Sequence, residues 1–301
     1  MHDIIVIGGG PAGLTAATYA CRAGKSVLVI EKNAFGGQIT WSPRVENFPG
    51  YLFITGTELG DKLLEQAMEQ GSEVELEEVT ALSREGSFFR VSCESGASFE
   101  AKAVILAAGA KPRMLGIDRE EELVGSGVCY CAVCDGAFYA GKPVAVCGGG
   151  NSALQDALLL SESCSRVYLV HRRDAFRGEQ KLVDALENKA NVEFVLNARV
   201  KAFLGDQEIS GLAVEQNGEE RVLPVEGVFV AIGHQPDLGS FADFLDRDAQ
   251  GYAASDESCL TRTPGLFVAG DCRQKTVRQL TTAAADGAVA ALAAVQYIDN
   301  L

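Results

Sequence analysis

The sequence predicts an α/β protein that contains two parallel sheets. Three observations support this fold: apolar strands alternate with Ala-rich helical stretches, a glycine-rich turn follows a strand at two places, and segments of alternating polarity follow each place. The length of 301 residues is sufficient for two domains of about 150 residues. We therefore predict two Rossmann-like dinucleotide-binding domains, the second inserted into the first, each with a β-meander.

The first strand–turn–helix unit opens the chain. Asp3–Ile7 is an apolar strand, a glycine turn follows it, and an Ala-rich helix over Leu14–Ala23 ends before Gly24. A second buried strand, Ser26–Ile30, ends at Glu31. This order predicts a βαβ unit with parallel strands.

Three further elements complete the N-terminal part. Apolar residues recur at helical spacing over Thr57–Gln70, and Gly71 ends this predicted helix. The segment Glu73–Glu100 alternates in polarity and carries glycines at its turns, which predicts a β-meander, and Ala103–Ala107 is a buried strand.

The same unit occurs again in the middle of the chain. Pro143–Cys147 is a strand, a glycine turn follows, and a helix begins over Leu154–Leu160. The strand Val167–Val170 comes next, and a second meander covers Asn191–Gly233. Two copies of one plan predict two nucleotide sites.

The C-terminal segment returns to the first pattern, with a strand over Leu266–Ala269 and an Ala-rich helix from about Thr282. We therefore predict a discontinuous first domain of residues 1–113 and 240–301. Residues 114–239 form the predicted central domain.

Charge and hydropathy exclude several classes of partner. Lys+Arg 26 against Asp+Glu 41 leaves a net charge of −15, which argues against nucleic acid. No segment has the about 18 consecutive apolar residues of a membrane helix, and Met1-His2-Asp3 leads into a strand without the basic start of a signal peptide. We expect a cytoplasmic protein with mostly reduced thiols among its nine cysteines.

The first glycine turn has the spacing Gly8-x-Gly10-x-x-Gly13 between a strand and a helix, with Glu31 at the end of the next strand. Gly8 permits a tight turn, Gly10 lets the backbone approach a pyrophosphate, and Gly13 lets helix and strand pack closely. The helix N-terminus offers free N–H groups to phosphates, and Glu31 can accept from ribose hydroxyls. The alternative is a glycine turn with a structural role only.

The second turn, Gly148-x-Gly150-x-x-Ala153, follows the same logic but has a basic segment where the first has an acid. The strand after it ends in His171-Arg172-Arg173, and Arg177 follows. Arginines suit a 2′-phosphate through charge-assisted hydrogen bonds, whereas an acid suits a free 2′-hydroxyl. The alternative is a solvated basic loop.

A Cys131-Ala132-Val133-Cys134-Asp135 segment precedes the second nucleotide strand. Chance and half of a zinc site are alternatives, but zinc needs four ligands and the sequence has no second CxxC or His pair. We therefore predict no metal. A dithiol between two nucleotide sites indicates electron transfer from a nicotinamide through a flavin to a disulfide, with Asp135 as a candidate proton donor.

Taken together, these residues resemble the low-molecular-weight bacterial thioredoxin reductases of the pyridine nucleotide-disulfide oxidoreductase family over nearly the whole chain. Besides the two turns and the CxxC-Asp segment, the similar motifs are Gly36-Gly37-Gln38, Val45-Glu46-Asn47-Phe48-Pro49-Gly50, Ala107-Ala108-Gly109-Ala110, His171-Arg172-Arg173, Ile232-Gly233-His234-Gln235-Pro236, Gly270-Asp271 and Arg278-Gln279. The resemblance implies an FAD domain, a central NADPH domain with the redox dithiol, a thioredoxin-like protein as acceptor, and a homodimer.

The resemblance also implies site residues. The catalytic ones are Cys131, Cys134 and Asp135, with Cys134 toward the flavin and Cys131 attacking the acceptor. The FAD-binding ones are Gly8, Gly10, Pro11, Ala12, Gly13, Glu31, Lys32, Gly36, Gly37, Gln38, Asn47, Ala108, Gly109, Gly270, Asp271, Arg278, Gln279 and Leu280. The NADPH-binding ones are Gly148, Gly150, Asn151, Ser152, Ala153, His171, Arg172, Arg173 and Arg177.

The sequence also departs from the family pattern at some positions, and the interpretation has rivals. Cys129 is an extra thiol that the family pattern does not explain, and Ser126 lies where some relatives carry a basic residue. One rival is a related flavoprotein that takes electrons from a ferredoxin-type donor or acts on another dithiol or disulfide. Such relatives tend to lose the second glycine turn or its arginines, and this sequence keeps both.

Overall fold

The computed structural model describes residues 1–42, 44–236 and 238–301 and divides into two compact units. Unit 1 consists of Met1–Lys111 and Gln235–Leu301, and unit 2 consists of Pro112–His234. None of the described helices is long and apolar enough to cross a membrane.

The elements alternate between strands and helices along the chain. The helices are α1 (Pro11–Arg22), α2 (Gly56–Glu69), α3 (Ala132–Asp135), α4 (Asn151–Ser161), α5 (Gln180–Glu187) and α6 (Leu280–Asp299). The strands are β1 (His2–Ile7), β2 (Val27–Glu31), β3 (Glu73–Leu76), β4 (Val79–Glu85), β5 (Phe88–Cys93), β6 (Ser98–Leu106), β7 (Ala110–Pro112), β8 (Val128–Cys129), β9 (Pro143–Gly148), β10 (Arg166–Val170), β11 (Val192–Val195), β12 (Ala198–Leu204), β13 (Gly211–Gln216), β14 (Glu219–Leu223), β15 (Gly227–Ala231), β16 (His234–Pro236) and β17 (Leu266–Val268).

Unit 1 is built on a seven-stranded sheet in the order β3-β2-β1-β6-β5-β4, with β17 also paired to β6. The pairs β3–β2, β2–β1, β1–β6 and β6–β17 are parallel. The antiparallel meander consists of β4, β5 and the first part of β6. The predicted meander over Glu73–Glu100 was therefore wrong at its start, because β3 joins the parallel sheet beside β2. An exposed edge strand alternates in polarity just as a meander strand does, so the pattern alone could not separate them.

The Ala-rich composition of α1 and α6 is explained by how closely these helices pack. A Cβ at Gly287 of α6 would lie only 2.1 Å from the carbonyl oxygen of Ala12 in α1. Ala16, Ala20 and Ala290 are fully buried between the helices and the sheet. Larger side chains at these positions would force the backbones apart, which is why the sequence uses small ones here.

Unit 2 repeats the plan with a five-stranded parallel sheet in the order β11-β10-β9-β15-β8 and a separate antiparallel sheet of β12, β13 and β14. The second predicted meander, Asn191–Gly233, was thus too long at both ends, because β11 and β15 belong to the parallel sheet. β15 carries consecutive apolar residues, as buried parallel strands do, whereas β11 is an edge strand that includes Glu193.

The remaining two strands, β7 and β16, lie near the two ends of the segment that forms unit 2. β7 and β16 pair as a two-stranded sheet, and the Arg113 N–H donates to the Gly233 carbonyl at 2.8 Å just beside it.

Candidate functional site

In unit 1, the turn between β1 and α1 contains two glycines that close packing requires, Gly8 and Gly13, and one that it does not, Gly10. A Cβ at Gly8 would lie 2.3 Å from the Ala107 carbonyl oxygen, and one at Gly13 would lie 1.9 Å from the Gly8 carbonyl oxygen. At Gly10 the nearest atom would be 3.9 Å away, and its φ of −80° suits any residue. Gly10 therefore leaves open space above the turn, where a ligand can approach the backbone.

This space is part of a cleft of about 320 Å³ that lies wholly within unit 1. Fourteen of the eighteen residues predicted to bind the first nucleotide line it: Gly8, Gly10, Pro11, Ala12, Glu31, Lys32, Gly37, Gln38, Ala108, Gly109, Gly270, Asp271, Gln279 and Leu280. The carboxyl ends of β1, β2 and β6 meet here, which is where open α/β sheets bind ligands.

The other four predicted residues support the cleft from behind or beside it. Gly13 is the contact between α1 and β1, and a Cβ at Gly36 would lie 3.0 Å from the Gly60 Cα. Asn47 Nδ2 donates to Gln279 Oε1 at 3.4 Å. The Arg278 guanidinium lies 3.8 Å from the centre of the Tyr252 ring, and its Nε donates to the Asp271 carbonyl at 3.2 Å.

Glu31 holds the turn as well as lining the cleft. Its Oε2 accepts from the Gly9 N–H at 2.7 Å, and its Oε1 accepts from the Asn33 N–H at 2.9 Å. A carboxylate has about four acceptor positions, so Glu31 can still accept from a ligand hydroxyl.

Asp271 has one buried carboxylate oxygen without a hydrogen-bond donor among the described residues. Its Oδ1 is buried and has no hydrogen-bond partner among the described residues, and the nearest cation, Lys275 Nζ, is 3.8 Å away. Burial raises the pKa of Asp271, although the positive charges of Lys275 and Arg278 oppose this. A hydroxyl-bearing ligand in the cleft would satisfy this oxygen, so the site fits a dinucleotide cofactor.

Beneath Asp271 lies a buried charge network. Asp286 of α6 accepts from Arg273 Nε at 2.9 Å and Nη2 at 2.8 Å, and from Lys275 Nζ at 2.9 Å. It also accepts from the Gly270 N–H at 3.0 Å. The network thus fixes the Gly270-Asp271 turn against the start of α6.

Several residues that line the cleft were missed by the sequence analysis, among them Asn33, Trp41, Glu78 and Ser240. Glu78 lies just past β3 and could have been found from the rule that ligands meet strand ends. Trp41 is the sole tryptophan of the sequence, and the structure leaves half of it exposed at the cleft.

The second glycine turn, in unit 2, has the same division of roles. A Cβ at Gly148 would lie 2.4 Å from the Ala231 carbonyl oxygen, and one at Gly149 would lie 2.2 Å from the His171 ring. Gly150 has no atom within 4 Å of such a Cβ. As in unit 1, the third position of the turn is open.

The basic segment beside this turn is exposed, except for its histidine. Arg172, Arg173 and Arg177 are exposed, and the Arg177 N–H donates to the Gly149 carbonyl at 2.7 Å. His171 is buried against Gly149 and lies 5.5 Å from the Phe176 ring, centre to centre. Burial lowers the pKa of His171, and the charges of Arg177 and Arg173 act in the same direction. The buried His171 thus supports the turn by packing, while the arginines face solvent.

The start of α4 completes this site. Ser152 and Asn151 are exposed, and Ala153 is buried. Asn151 Oδ1 accepts from the Glu179 N–H at 2.7 Å, and its Nδ2 donates to Glu179 Oε1 at 3.0 Å. The helix N-terminus has no side-chain cap, so its N–H groups remain available to an anion.

The three predicted catalytic residues lie together at the short helix α3. Cys131 and Cys134 form a disulfide with a Cα–Cα distance of 5.3 Å, and the Cys134 N–H donates to Cys131 Sγ at 3.2 Å. Both cysteines are half-buried. Burial raises the pKa of the adjacent Asp135 to about 6, and a hydrogen bond with the Cys129 thiol opposes the rise. A carboxyl of this kind can take and return a proton near neutral pH.

Comparison with known proteins places this geometry in context. Residues 2–287 match the pyridine nucleotide-disulphide oxidoreductase family. The chain is 40% identical to the thioredoxin reductase of Listeria monocytogenes, covering all of this chain and 95% of that protein. It is also 40% identical to the thioredoxin reductase of Treponema pallidum, covering all of this chain and 98% of that one. A solved thioredoxin reductase from Streptococcus pyogenes is 39% identical and has a TM-score of 0.94 over all of this chain and 99% of that one.

Proposed function

Because the chain belongs to the pyridine nucleotide-disulphide oxidoreductase family, we propose that it is a thioredoxin reductase that uses NADPH, FAD and the Cys131–Cys134 pair. Membership of this family makes the protein an oxidoreductase that uses a flavin and a nicotinamide nucleotide. The particular cofactors, the site residues and the acceptor are our proposal.

FAD is assigned to the cleft of unit 1. Gly10 leaves room for a pyrophosphate at the N-terminus of α1, Glu31 can accept from a ribose hydroxyl, and Asp271 offers a buried acceptor without a donor. When bound, the flavin supplies hydride acceptance from the nicotinamide and two-electron transfer to a disulfide.

NADPH is assigned to unit 2. Gly150 is open at the start of α4, and Arg172, Arg173 and Arg177 are exposed beside it. Guanidinium groups bind a 2′-phosphate through paired hydrogen bonds that a 2′-hydroxyl cannot replace. This arrangement also argues against a ferredoxin-type donor, which would not need a nucleotide turn here. The proposed domains are the predicted ones, residues 1–113 with 240–301 and residues 114–239.

The redox work of this chain lies at Cys131, Cys134 and Asp135. The reduced pair passes two electrons to an acceptor disulfide by thiol exchange, in which a thiolate attacks one sulfur and displaces the other. Asp135 takes the proton that leaves the attacking thiol and returns it to the displaced one. By resemblance, Cys131 attacks the acceptor and Cys134 serves the flavin.

The observation that carries the proposal is the Cys131–Cys134 disulfide next to the buried carboxyl of Asp135, within a chain that has two open glycine turns. The test is NADPH oxidation by the purified flavoprotein with and without oxidised thioredoxin. We expect turnover only with both, and we expect Cys131→Ser and Cys134→Ser to abolish it while NADPH still bleaches the flavin. Turnover with ferredoxin but not NADPH would select the rival function.

We also propose that the enzyme works as a homodimer in the cytoplasm. Resemblance to the family supports the dimer, and the seven free cysteines besides the redox pair fit a reducing compartment. Light scattering after size-exclusion chromatography tests the dimer, which requires about twice the 31.8 kDa chain mass.

A further inference from the structure

Glu120 is a buried carboxylate of unit 2 that lies outside the sites assigned to the cofactors and the redox pair. It is 2% exposed. Its Oε1 accepts from the Leu115 N–H at 2.9 Å, and its Oε2 accepts from the Gly116 N–H at 2.8 Å. The Tyr130 hydroxyl donates to Oε1 at 3.1 Å. We call these four residues the Glu120 cluster: Glu120, Leu115, Gly116 and Tyr130.

The hydrogen bonds of the Glu120 cluster compensate for the burial of a charge. A carboxylate has about four acceptor positions, and Glu120 fills three of them with donors from two separate segments of the chain. Burial raises the pKa of Tyr130, and the charge of Glu120 adds to the rise, so the phenol stays protonated and donates. The Leu115 and Tyr130 side chains also pack against the same hydrophobic cluster. Glu120 therefore ties Tyr130 to the segment that contains Leu115 and Gly116.

The turn that carries Glu120 is itself held in place. Arg119 has a φ of 64°, in the left-handed region that residues other than glycine seldom adopt. Its Nη1 donates to the Gly205 carbonyl at 2.6 Å, and its Nη2 donates to the Asp206 carbonyl, both between β12 and β13. An uncommon backbone conformation persists where the surrounding structure fixes it. The Glu120 carboxylate is thus a fixed point within unit 2.

Tyr130 connects this fixed point to the redox pair. It directly precedes Cys131, the thiol that attacks the acceptor in the proposed function. On one side of Tyr130, the strand β8 pairs with β15 at Val128 and Cys129. On the other side, Cys131 begins α3 and its Sγ accepts from the Cys134 N–H at 3.2 Å. The bond to Glu120 therefore anchors the chain at the residue next to the redox pair.

We propose that Glu120 is a positioning residue that holds Cys131 through Tyr130, so that the two redox thiols stay close together when their disulfide is open. The proposal rests on the proposed function, which assigns disulfide exchange to this pair. In the oxidised protein the S–S bond itself restrains Cys131. In the reduced protein that restraint is gone, and the bond from Tyr130 to Glu120 limits the freedom of the chain instead. Loss of this bond should free the reduced form more than the oxidised form, which makes the disulfide easier to reduce.

This difference between the redox forms separates positioning from a purely structural role. A bond that stabilised both forms equally would change the free energy of unfolding but not the equilibrium between disulfide and dithiol. Dithiothreitol reports that equilibrium directly. The Cys131–Cys134 disulfide takes up two electrons and two protons, and one dithiothreitol closes into its cyclic disulfide. Neither NADPH nor thioredoxin takes part, so the result does not depend on which acceptor the enzyme uses.

The experiment equilibrates the holoenzyme with dithiothreitol and its cyclic disulfide at graded ratios and neutral pH. After an acid quench, mass spectrometry measures alkylation of the peptide that carries Cys131 and Cys134. Tyr130→Phe removes the hydroxyl and keeps the ring. We expect its equilibrium constant for disulfide formation to fall about threefold, which is a reduction potential about 14 mV higher.

A second background tests whether the effect passes through Glu120. Glu120→Gln replaces the carboxylate by a neutral amide of similar volume, which accepts a weaker hydrogen bond from the phenol. Tyr130→Phe should therefore change the equilibrium constant less in Glu120→Gln than in the wild type. Thermal unfolding of each variant confirms that it is folded.

Two controls make the result specific. Tyr168→Phe removes a hydroxyl from β10 in the same hydrophobic cluster, and Glu121→Gln removes the exposed carboxylate next to Glu120 in the sequence. Each should keep the equilibrium constant within about 1.5-fold of the wild type. An unchanged constant in Tyr130→Phe, an equal fall in either control, or an undiminished effect of Tyr130→Phe in Glu120→Gln would overturn the proposal. A wild type whose disulfide equilibrates with dithiothreitol but that does not turn over with thioredoxin would instead refute the proposed function.

Discussion

Arg172 and Arg173 determine, in our proposal, which coenzyme unit 2 accepts. Both are exposed beside the open turn, and each charge-assisted hydrogen bond to a 2′-phosphate contributes about 1.5–3 kcal/mol. We expect wild-type kcat/KM to favour NADPH over NADH at least about tenfold. Arg172→Ala combined with Arg173→Ala should lower kcat/KM for NADPH and leave NADH unchanged.

The matched control for this pair is Arg199→Ala, an exposed arginine on β12 of the same unit. It removes positive charge without touching the turn. Equal use of NADH and NADPH by the wild type would contradict the role assigned to these arginines.

The buried carboxylate of Asp286 stabilises the folded state of unit 1. Burial opposes its ionisation, but hydrogen bonds from Arg273 and Lys275 outweigh this and lower the pKa of Asp286. Asp286→Asn removes the nearest anion of two buried cations, Arg273 and Lys275, so we expect the free energy of unfolding to fall by about 3 kcal/mol at neutral pH. Urea titration of both proteins measures the difference.

The pH dependence of this difference has a definite sign. A carboxyl with a lowered pKa stabilises the fold above its unfolded pKa, here 3.8, and loses this contribution as the pH falls through its folded value. The gap between wild type and Asp286→Asn should therefore narrow below about pH 4. Asp299→Asn is the control. Asp299 is an exposed residue of the same helix as Asp286, α6, and forms an ion pair with Lys25. Loss of this pair should lower the free energy of unfolding by only about 0–1 kcal/mol. If Asp286→Asn and Asp299→Asn lost the same unfolding free energy, the buried ion pairs of Asp286 would contribute no more stability than the exposed pair of Asp299.

At the scale of elements, we expect the substitution of alanine for glycine to have different effects at two positions of the turn between β1 and α1. Gly13→Ala would place a methyl 1.9 Å from the Gly8 carbonyl oxygen, so the apoprotein should lose about 1–3 kcal/mol or more. In a helix without this clash, the same change would stabilise by about 1 kcal/mol. A loss of unfolding free energy in Gly13→Ala would therefore show that α1 packs closely against the end of β1 at this position, and a gain would show that it does not.

Gly10→Ala should leave the apoprotein within about 1 kcal/mol of the wild type, because the methyl meets no protein atom closer than 3.9 Å. The methyl instead occupies the space proposed for the pyrophosphate, so flavin affinity should fall at least about tenfold. Urea unfolding of the apoproteins and flavin absorbance after dialysis give the two readouts. Full flavin retention by Gly10→Ala would place the cofactor elsewhere.

At the scale of the whole molecule, each unit has hydrophobic clusters of its own. The buried clusters of unit 1 centre on residues such as Ile4 and Leu106, those of unit 2 on residues such as Val146 and Val228, and each cluster lies within one unit. We therefore expect calorimetry to resolve two unfolding transitions. NADP⁺ at 100 times its dissociation constant should stabilise one of them by about 2.7 kcal/mol.

The same ligand in Arg172→Ala with Arg173→Ala should give a smaller shift of that transition, and added FAD should raise the other. A single transition that responds equally to both ligands would mean that the units unfold as one cooperative body.

Most of the fold and much of the candidate site could be predicted from local patterns. Strand and helix periods, the two glycine turns and the CxxC-Asp segment each lie within a few residues of sequence. Such patterns can be recognised from spacing, and the cleft of unit 1 is lined by most of the residues that the sequence predicts for it.

Tertiary structure decided what depends on residues that are remote in sequence. It placed β3 and β11 in parallel sheets, because strand partners are chosen by packing and not by polarity alone. It also separated Gly13, which meets a carbonyl, from Gly10, which meets nothing. Identical residues in one motif have different roles because only the folded chain determines which atoms surround them.

The same reason explains the buried polar groups. The sequence by itself determined that Asp135 follows the CxxC and that Asp286 lies in an Ala-rich helix. Only the fold buried the carboxyl of Asp135 and brought Arg273 and Lys275 to that of Asp286. The pKa of a carboxyl depends on its burial and its partners, and both are determined by tertiary structure and not by the residues next to it in the sequence.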